Sequence, residues 1–225
     1  GTNGNTFDGK LTSDMSHDEL FDLEDRITHV MDDPSYGEVV FKTGEWFATE
    51  LTGIQAGVDA AASGDTLWVD GGTYTENVTI DKALKLSAYD AILQAANSGN
   101  LITVTASNVN IDPFTFDGMG KADYGVYATG PGAIGLTVDG NTFKNFNEAG
   151  IYLAANGIGT GTIINNTFEG SATRGVETGT LDGGYSLEIT GNTIGSDGDE
   201  VINGLLFGKV ADASVMIKGG SIDSG

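Results

Sequence analysis

The chain contains no cysteine and only three prolines among its 225 residues. The absence of cysteine excludes disulfide bonds, thiolate metal sites and cysteine nucleophiles. The scarcity of proline, without any Gly-X-Y period, excludes a collagen-like structure. Any catalytic or metal site must therefore use other side chains.

Basic residues are also few, because 10 Lys and Arg stand against 32 Asp and Glu, for a formal net charge of −22. Such a surface repels duplex nucleic acid and anionic membranes, so neither is expected as a partner. No apolar run approaches the roughly 18 residues of a membrane span, so no membrane insertion is expected. The acidity fits a secreted or high-salt protein, and carboxylates could collect Ca²⁺.

Glycine is abundant, and a short sequence motif, which we call the word, recurs in the glycine-rich second half of the chain. There are 35 glycines with an ordinary apolar content of 39%, which favours many short strands joined by tight turns. The word is Asn-Thr-Phe or a variant of it, and its middle residues are Thr115, Thr142, Thr167, Thr193 and Ser221. The steps of 25 to 28 residues match one turn of a right-handed parallel β-helix. A propeller blade would need roughly 40–50 residues.

The repeated word predicts two stacks of equivalent side chains. Equivalent residues on successive turns of a parallel β-helix lie about 4.8 Å apart. We therefore expect an asparagine ladder at a bend and an inward aromatic stack, both structural. The ladder comprises Asn141, Asn166 and Asn192, and the aromatic stack comprises Phe116, Phe143 and Phe168.

The first fifty residues have a different pattern. Apolar residues at steps of three and four predict an amphipathic helix over residues 16–33, with Ser16 as N-cap and Glu19 completing a capping box. Residues 38–49 predict a β-hairpin, residues 52–62 a second short helix, and residues 4–9 the end of another coil. The expected organisation is an N-terminal part, residues 1–50, followed by one continuous β-helix, residues 51–225.

The segment from Ile54 to Leu86, IQAGVDAAASGDTLWVDGGTYTENVTIDKALKL, carries a resemblance to a known family. It resembles the segment that begins the β-helix in NosD-type and related right-handed β-helix proteins of the pectate-lyase-like superfamily. The resemblance implies an all-β parallel β-helix with a small helix capping its first coil. It does not imply one function, because this architecture hosts lyases, hydrolases, epimerases, tailspikes and adhesins.

A second resemblance concerns the parent protein. The segment from Leu20 to Asp33 is similar to a segment in β-helix modules of large secreted bacterial proteins. Together with the same repeat phase at both ends, it suggests one module of a longer array. A secreted or cell-surface bacterial location is therefore expected, with neighbouring modules of the same parent chain as partners.

None of the catalytic sequence motifs of related enzymes is present in this chain. The arginines are Arg26 and Arg174, the histidines are His17 and His29, and Asp112-Pro113 is not followed by the His-Glu of alginate epimerases. The copper role of NosD-type proteins is the weakest reading, because Met and His lack ligand spacing. An alternating ladder of Asp117, Lys144 and Glu169 is expected to be a solvated surface feature.

A second recurring word places aromatic and charged residues on one outer face. Tyr127, Tyr152 and Glu177 are equivalent, so stacked tyrosines beside charges could bind a sugar ring, or could simply stiffen the sheet. The glycan-binding candidates are Lys121, Tyr124, Tyr127 and Tyr152. If the protein is an enzyme, the catalytic candidates are Glu148, Arg174 and Glu177.

The acidic turn at residues 196–200 is the one candidate metal site. Asp197, Asp199 and Glu200 could hold Ca²⁺ with added carbonyl oxygens, although an exposed acidic loop has the same composition. No other cofactor is expected.

The sequence favours a non-catalytic structural or adhesive module. The alternative is a carbohydrate-active or glycan-binding β-helix, such as a polysaccharide lyase, hydrolase or epimerase, acting on the Tyr127, Tyr152 and Glu177 face. A third reading is a tailspike-like shaft, for which we find no exposed apolar seam.

Overall fold

The N-terminal segment forms small elements on the outside of the molecule. A computed structural model describes residues 6–169, 174–196 and 203–222. Its first elements are strand β1 (Thr6–Phe7), strand β2 (Lys10–Leu11), a 3₁₀ turn (Thr12–Asp14) and helix α1 (His17–Glu24). The capping box of α1 is confirmed, because Ser16 Oγ accepts from Glu19 N and the Glu19 carboxylate accepts from Ser16 N.

Three predictions for this segment are wrong. Helix α1 ends at Glu24 rather than at residue 33, because the next bonds, such as Ile27 N to Glu24 O, tighten into 3₁₀ turns. The hairpin over residues 38–49 is reduced to one antiparallel bridge, Lys42 with Glu45. The expected coil end at residues 4–9 is, over its described part, the antiparallel pair β1–β2.

The rest of the chain is a parallel β-solenoid with three sheets. The first sheet contains eight strands: β3 (Glu45–Ala48), β4 (Thr66–Val69), β7 (Lys85–Ala88), β10 (Asn110–Asp112), β13 (Leu136–Asp139), β16 (Gly159–Ile164), β19 (Tyr185–Thr190) and β22 (Ser214–Lys218). Every pair in it is parallel and joins consecutive turns.

The second and third sheets follow the same order. The second contains β5 (Gly72–Thr75), β8 (Ala91–Gln94), β11 (Thr115–Asp117), β14 (Thr142–Lys144), β17 (Thr167–Glu169), β20 (Thr193–Ser196) and β23 (Ser221–Ile222). The third contains β6 (Val78–Ile80), β9 (Gly99–Val104), β12 (Ala122–Thr129), β15 (Ala149–Asn156), β18 (Arg174–Asp182) and β21 (Asn203–Phe207). A 3₁₀ turn, Gly130–Ala133, links β12 to β13.

The expected register and both internal stacks are present. Asn141 Nδ2 donates to Asn166 Oδ1 over 3.1 Å, and Asn166 Nδ2 donates to Asn192 Oδ1 over 3.0 Å. The rings of Phe116 and Phe143 are 4.9 Å apart, and those of Phe143 and Phe168 are 5.1 Å apart. All six side chains are buried, so they fill the solenoid and the bend beside it.

Helix α2 (Ile54–Ala60) closes the N-terminal end of the solenoid, as the resemblance implied. Ile54 and Val58 are fully buried in the main core. The Glu76 carboxylate accepts from Ile54 N over 2.7 Å and from Gln55 N over 3.0 Å, which caps the helix. Among the described residues, no helix is long and apolar enough to cross a membrane.

Candidate functional site

The predicted tyrosine face lies on the outer side of the third sheet. Tyr127 pairs with Tyr152, and Tyr152 pairs with Glu177, on successive turns. The Tyr127 and Tyr152 rings stack at 5.0 Å with 9° between their planes. Tyr124 lies 5.4 Å from Tyr127 and 5.2 Å from Tyr152 between ring centroids. We call Tyr124, Tyr127 and Tyr152 the tyrosine platform.

Two β-bulges flank the tyrosine platform. One lies between Ala122 and Tyr124, where β12 has an extra residue opposite β9. The other lies in β18, opposite Leu153 and Ala155 of β15. Gly179 is in this second bulge, and a Cβ there would collide with the Tyr152 hydroxyl. Bulges re-aim side chains, and here the missing Cβ leaves room for the Tyr152 ring.

Arg174 joins the two carboxylates of the face. Its Nη1 lies 3.0 Å from Glu148 Oε2 and 2.9 Å from Glu177 Oε2. Burial would lower the pKa of Arg174, but Glu177 and Glu148 outweigh it and the pKa is raised. Arg174 therefore holds its proton more firmly than usual, which is the opposite of what a catalytic base needs. Its buried Nε has no acceptor among the described residues.

The surroundings of Tyr124 and Tyr152 keep these two phenols neutral. Burial, helped by the charges of Glu177 and Glu148, raises the pKa of Tyr124 to about 12. Burial also raises the pKa of Tyr152, with smaller contributions from Tyr127 and Glu177. At ordinary pH these phenols can donate hydrogen bonds and present ring surface, but they do not act as bases.

Other predicted site residues have different surroundings. Lys121 precedes β12 with an exposed side chain, and no ring or ion contact ties it to the tyrosine platform among the described residues. Asp197, Asp199 and Glu200 lie outside the described residues. In the part of the chain that is described, no group of three His, Asp or Glu side chains could hold a metal ion.

The charge ladder is not the solvated feature that was expected. Lys144 Nζ lies 3.6 Å from Asp117 Oδ2, and Lys144 is in register with Glu169. Asp117, however, is buried, and its Oδ1 accepts from Met119 N and Asn145 Nδ2 over 2.9 Å each. The ladder thus begins with a carboxylate that fixes a turn.

Thr115, Thr142, Thr167 and Thr193 align in adjacent strands of the second sheet, as the middle residues of the repeated word should. Sequence reasoning missed a histidine cluster. The cluster joins His17 to Tyr89, the residue after β7, and to Glu45 of β3: its Nδ1 lies 2.7 Å from Tyr89 Oη, and its Nε2 lies 3.4 Å from Glu45 Oε2. No sequence spacing signals these contacts between distant residues.

Comparison with known proteins gives a family. The family model described as the right-handed β-helix region matches residues 50–198. No curated protein and no solved structure matches the chain. The matched region contains strands from all three sheets, the asparagine ladder and the tyrosine platform. The sequence match and the parallel solenoid agree, and the chain belongs to the right-handed β-helix family.

Proposed function

We propose that this chain is a non-catalytic structural or adhesive module of a larger secreted or cell-surface bacterial protein, and that β-structure stacks on its C-terminal coil. One observation carries the proposal. Val138, Ile163 and Ile189 occupy one inward position on successive turns and are 0%, 1% and 2% exposed. Ile217 occupies that position on the last described turn and is 50% exposed.

The surroundings of Ile217 support stacking. Strands β21, β22 and β23 end their sheets, so each leaves one edge without a paired strand among the described residues. A depression of about 150 Å³ opens there. Its lining comprises Ile189, Asn192, Ile194, Leu205, Ile217, Gly219 and Gly220. Free strand edges over apolar side chains favour pairing with another β-coil. The opposite end is closed by α2.

The outer face supports the non-catalytic part of the proposal. Arg174 is held by Glu148 and Glu177, and the stacked tyrosines cover each other's ring faces. These contacts stiffen the sheet and leave few groups for chemistry. The acidity and the resemblance of residues 20–33 support a secreted or surface location.

Sedimentation over a wide range of protein concentration tests stacking. We expect concentration-dependent self-association that Ile217→Lys weakens at least about tenfold, because a buried charge costs more than a few kcal/mol unless it is paired. Met216→Lys is the matched control, since Met216 is on the same strand, 40% exposed and directed to the other side. A wild-type protein that stays monomeric at high concentration contradicts the stacking proposal.

The second candidate is binding of a neutral glycan at the tyrosine platform. The flanking bulges and Gly179 create an uneven aromatic surface beside hydrogen-bonding charges, as a sugar site requires. Arg174 between two carboxylates leaves a net negative charge, which favours neutral sugars over uronates.

Pull-down with neutral and uronate polysaccharides, with and without Ca²⁺, tests this candidate. We expect capture by neutral polymers that Tyr152→Ala abolishes and that Tyr36→Ala, a change at an exposed tyrosine elsewhere, leaves intact. Equal capture of both variants excludes the platform. Reducing ends or unsaturated products that disappear in Glu177→Gln would make the protein an enzyme.

A further inference from the structure

The N-terminal segment forms a second, smaller core on the outside of the first sheet. We call residues 6–44 the cover. Its buried side chains Leu20, Phe21 and Leu23 pack with Phe47 of β3, and Trp68 of β4 packs against them. Both histidines and both tryptophans of the chain lie in or under this cover.

A buried acid–base pair lies within the cover. Glu24, at the end of α1, places Oε1 2.7 Å from His29 Nε2, and the two residues are 2% and 1% exposed. The His29 ring lies nearly parallel to that of Trp46 in β3, at 6.3 Å and 11°. His29 Nδ1 is buried without a partner among the described residues. Two residues after His29, Met31 is buried in the main core.

The charged groups around this pair are carboxylates. Asp25 follows Glu24, Asp32 accepts from His29 N over 2.8 Å, and Glu38 acts on His29 from the next segment. On the solenoid side, Asp65 accepts from Trp46 Nε1 over 3.0 Å. No lysine or arginine is paired with Glu24 in the described residues. Protonation of Glu24 or His29 therefore reduces the negative charge of this group of carboxylates.

Both members of the pair favour their protonated forms in the folded protein. Burial raises the pKa of Glu24, against the opposing bond from His29. The bond to Glu24 raises the pKa of His29, against the opposing effect of burial. A group whose folded pKa is raised stabilises the fold at low pH, and that stability is lost as pH rises through the raised value. Both effects therefore act in the same direction.

We propose that the Glu24–His29 pair is a proton-dependent latch that keeps the cover docked on the first sheet in acid and loosens it as pH rises. Loosening uncovers Phe47 and Trp68, beside Lys85, whose Nζ lies 5.6 Å from the Trp68 ring centroid. The cover thus regulates access to an aromatic strip that the tyrosine platform does not share. This inference is independent of the stacking and glycan proposals.

His17 makes a separate contact between cover and solenoid. Its ring lies 4.4 Å from that of Trp68 and bonds Tyr89, and it is half-buried rather than buried. Its Nε2 also lies 3.4 Å from Glu45 Oε2 of β3, so His17 is a second ionisable contact between cover and sheet, and its variant separates its own contribution to any pH dependence from that of His29.

Proton NMR of the two histidines tests the latch in the wild-type protein. His17→Gln assigns the signals by removing one of them. We expect the His29 signal to titrate above the ordinary value of about 6.5, in step with a change in tryptophan emission. Titration of His29 at or below that value overturns the proposal, whatever the variants do.

Amide hydrogen exchange gives the second readout. If opening releases one proton, the opening equilibrium of α1 rises about tenfold per pH unit as pH rises above the ordinary histidine value of about 6.5, after correction for intrinsic rates. Amides of β13 and β16 should show no such slope. His29→Gln should flatten the slope and His17→Gln should keep it. If His29→Gln unfolds the cover at every pH, the His29 titration in the wild-type protein still tests the latch. Equal pH slopes for the amides of α1 and those of the solenoid overturn it.

Discussion

Asn141 and Asn166 of the ladder each bond to the coils on both sides, and Asn192 bonds to the coil before it. Asn166 Oδ1 accepts from the backbone N of Asn141 over 2.9 Å, and Asn166 Nδ2 donates to Val138 O over 2.9 Å. The same pattern recurs at Asn192, whose Oδ1 accepts from Asn166 N. The asparagine amides thus satisfy backbone groups that the bend removes from the sheets.

Asn166→Ala should be strongly destabilising. It leaves the Asn141 N–H and the Val138 carbonyl buried without partners, which costs about 1–3 kcal/mol per group. We expect a loss of about 3 kcal/mol in the free energy of unfolding, measured by urea denaturation. The adjacent outward change Thr167→Ala is the control and should cost less than about 1 kcal/mol. Equal costs would mean that the ladder adds nothing beyond ordinary packing.

Tyr185 is a buried aromatic residue at the start of β19 in the first sheet. It is fully buried, and its hydroxyl donates to Ala133 O over 2.5 Å. It pairs with Gly159, and its hydroxyl occupies the space where Gly161 would carry a Cβ. Gly161 therefore leaves the space that the Tyr185 hydroxyl fills.

Gly161→Ala should cost about 1–3 kcal/mol of unfolding free energy, because it overpacks the core at the Tyr185 hydroxyl. Tyr185→Phe alone should cost about 1 kcal/mol through the lost hydrogen bond. The double variant should be more stable than the sum of the two changes predicts, because the phenylalanine lacks the clashing oxygen. A double-mutant cycle by urea denaturation measures this coupling, and strict additivity would contradict the clash.

At the scale of elements, helix α2 depends on a distant residue for its start. Gly53 precedes it with a φ of 85°, a backbone conformation that favours glycine, and offers no side chain to cap the helix. Glu76, between β5 and β6, supplies both acceptors to the free N–H groups. The cap of the solenoid is thereby tied to its first coil.

Glu76→Ala should cost about 1–2 kcal/mol, because it leaves two helix N–H groups without acceptors and removes a charge placed well for the helix dipole. Glu76→Gln keeps one acceptor and should cost about half as much. Asp81→Ala, at an exposed carboxylate directly after β6, is the control. Thermal unfolding ranks the three, and a neutral Glu76→Ala would contradict the capping role.

The whole molecule carries a net charge of −22, so repulsion among its carboxylates is distributed over the surface. The ten basic side chains can offset only part of it, and two of the ion pairs, Lys10 with Glu19 and Arg26 with Asp8, are exposed pairs in the cover. Exposed pairs contribute about 0–1 kcal/mol. Repulsion therefore outweighs attraction at low salt.

Raising NaCl from about 10 mM to about 500 mM should raise the unfolding temperature by several degrees, because the screening length falls from about 30 Å to a few Å. Stacking at the C-terminal coil should strengthen in parallel, since it brings two acidic bodies together. A neutral osmolyte at matched osmolality is the control. An unfolding temperature that falls with salt would show that ion pairs dominate instead.

The sequence alone determined the repeating part of this protein. The 25- to 28-residue period fixes one coil per word, and the inward residues of each word are apolar because they must stack on their equivalents above and below. The asparagine ladder, the phenylalanine stack, the alignment of Tyr127 with Tyr152 and Glu177, and the α1 capping box follow from local spacing alone.

Only the tertiary structure decided those parts of the fold in which a segment can contact either a neighbour in the sequence or a distant segment. Strand β3 pairs with β4 rather than in a hairpin because the solenoid core buries Trp46 and Ala48, a gain larger than that of a local turn. Helix α1 stops early, which lets Glu24 meet His29 and Met31 enter the core. The bulges beside Tyr124 and Gly179, and the burial of Asp117, likewise depend on neighbouring coils, and no spacing within one word specifies them.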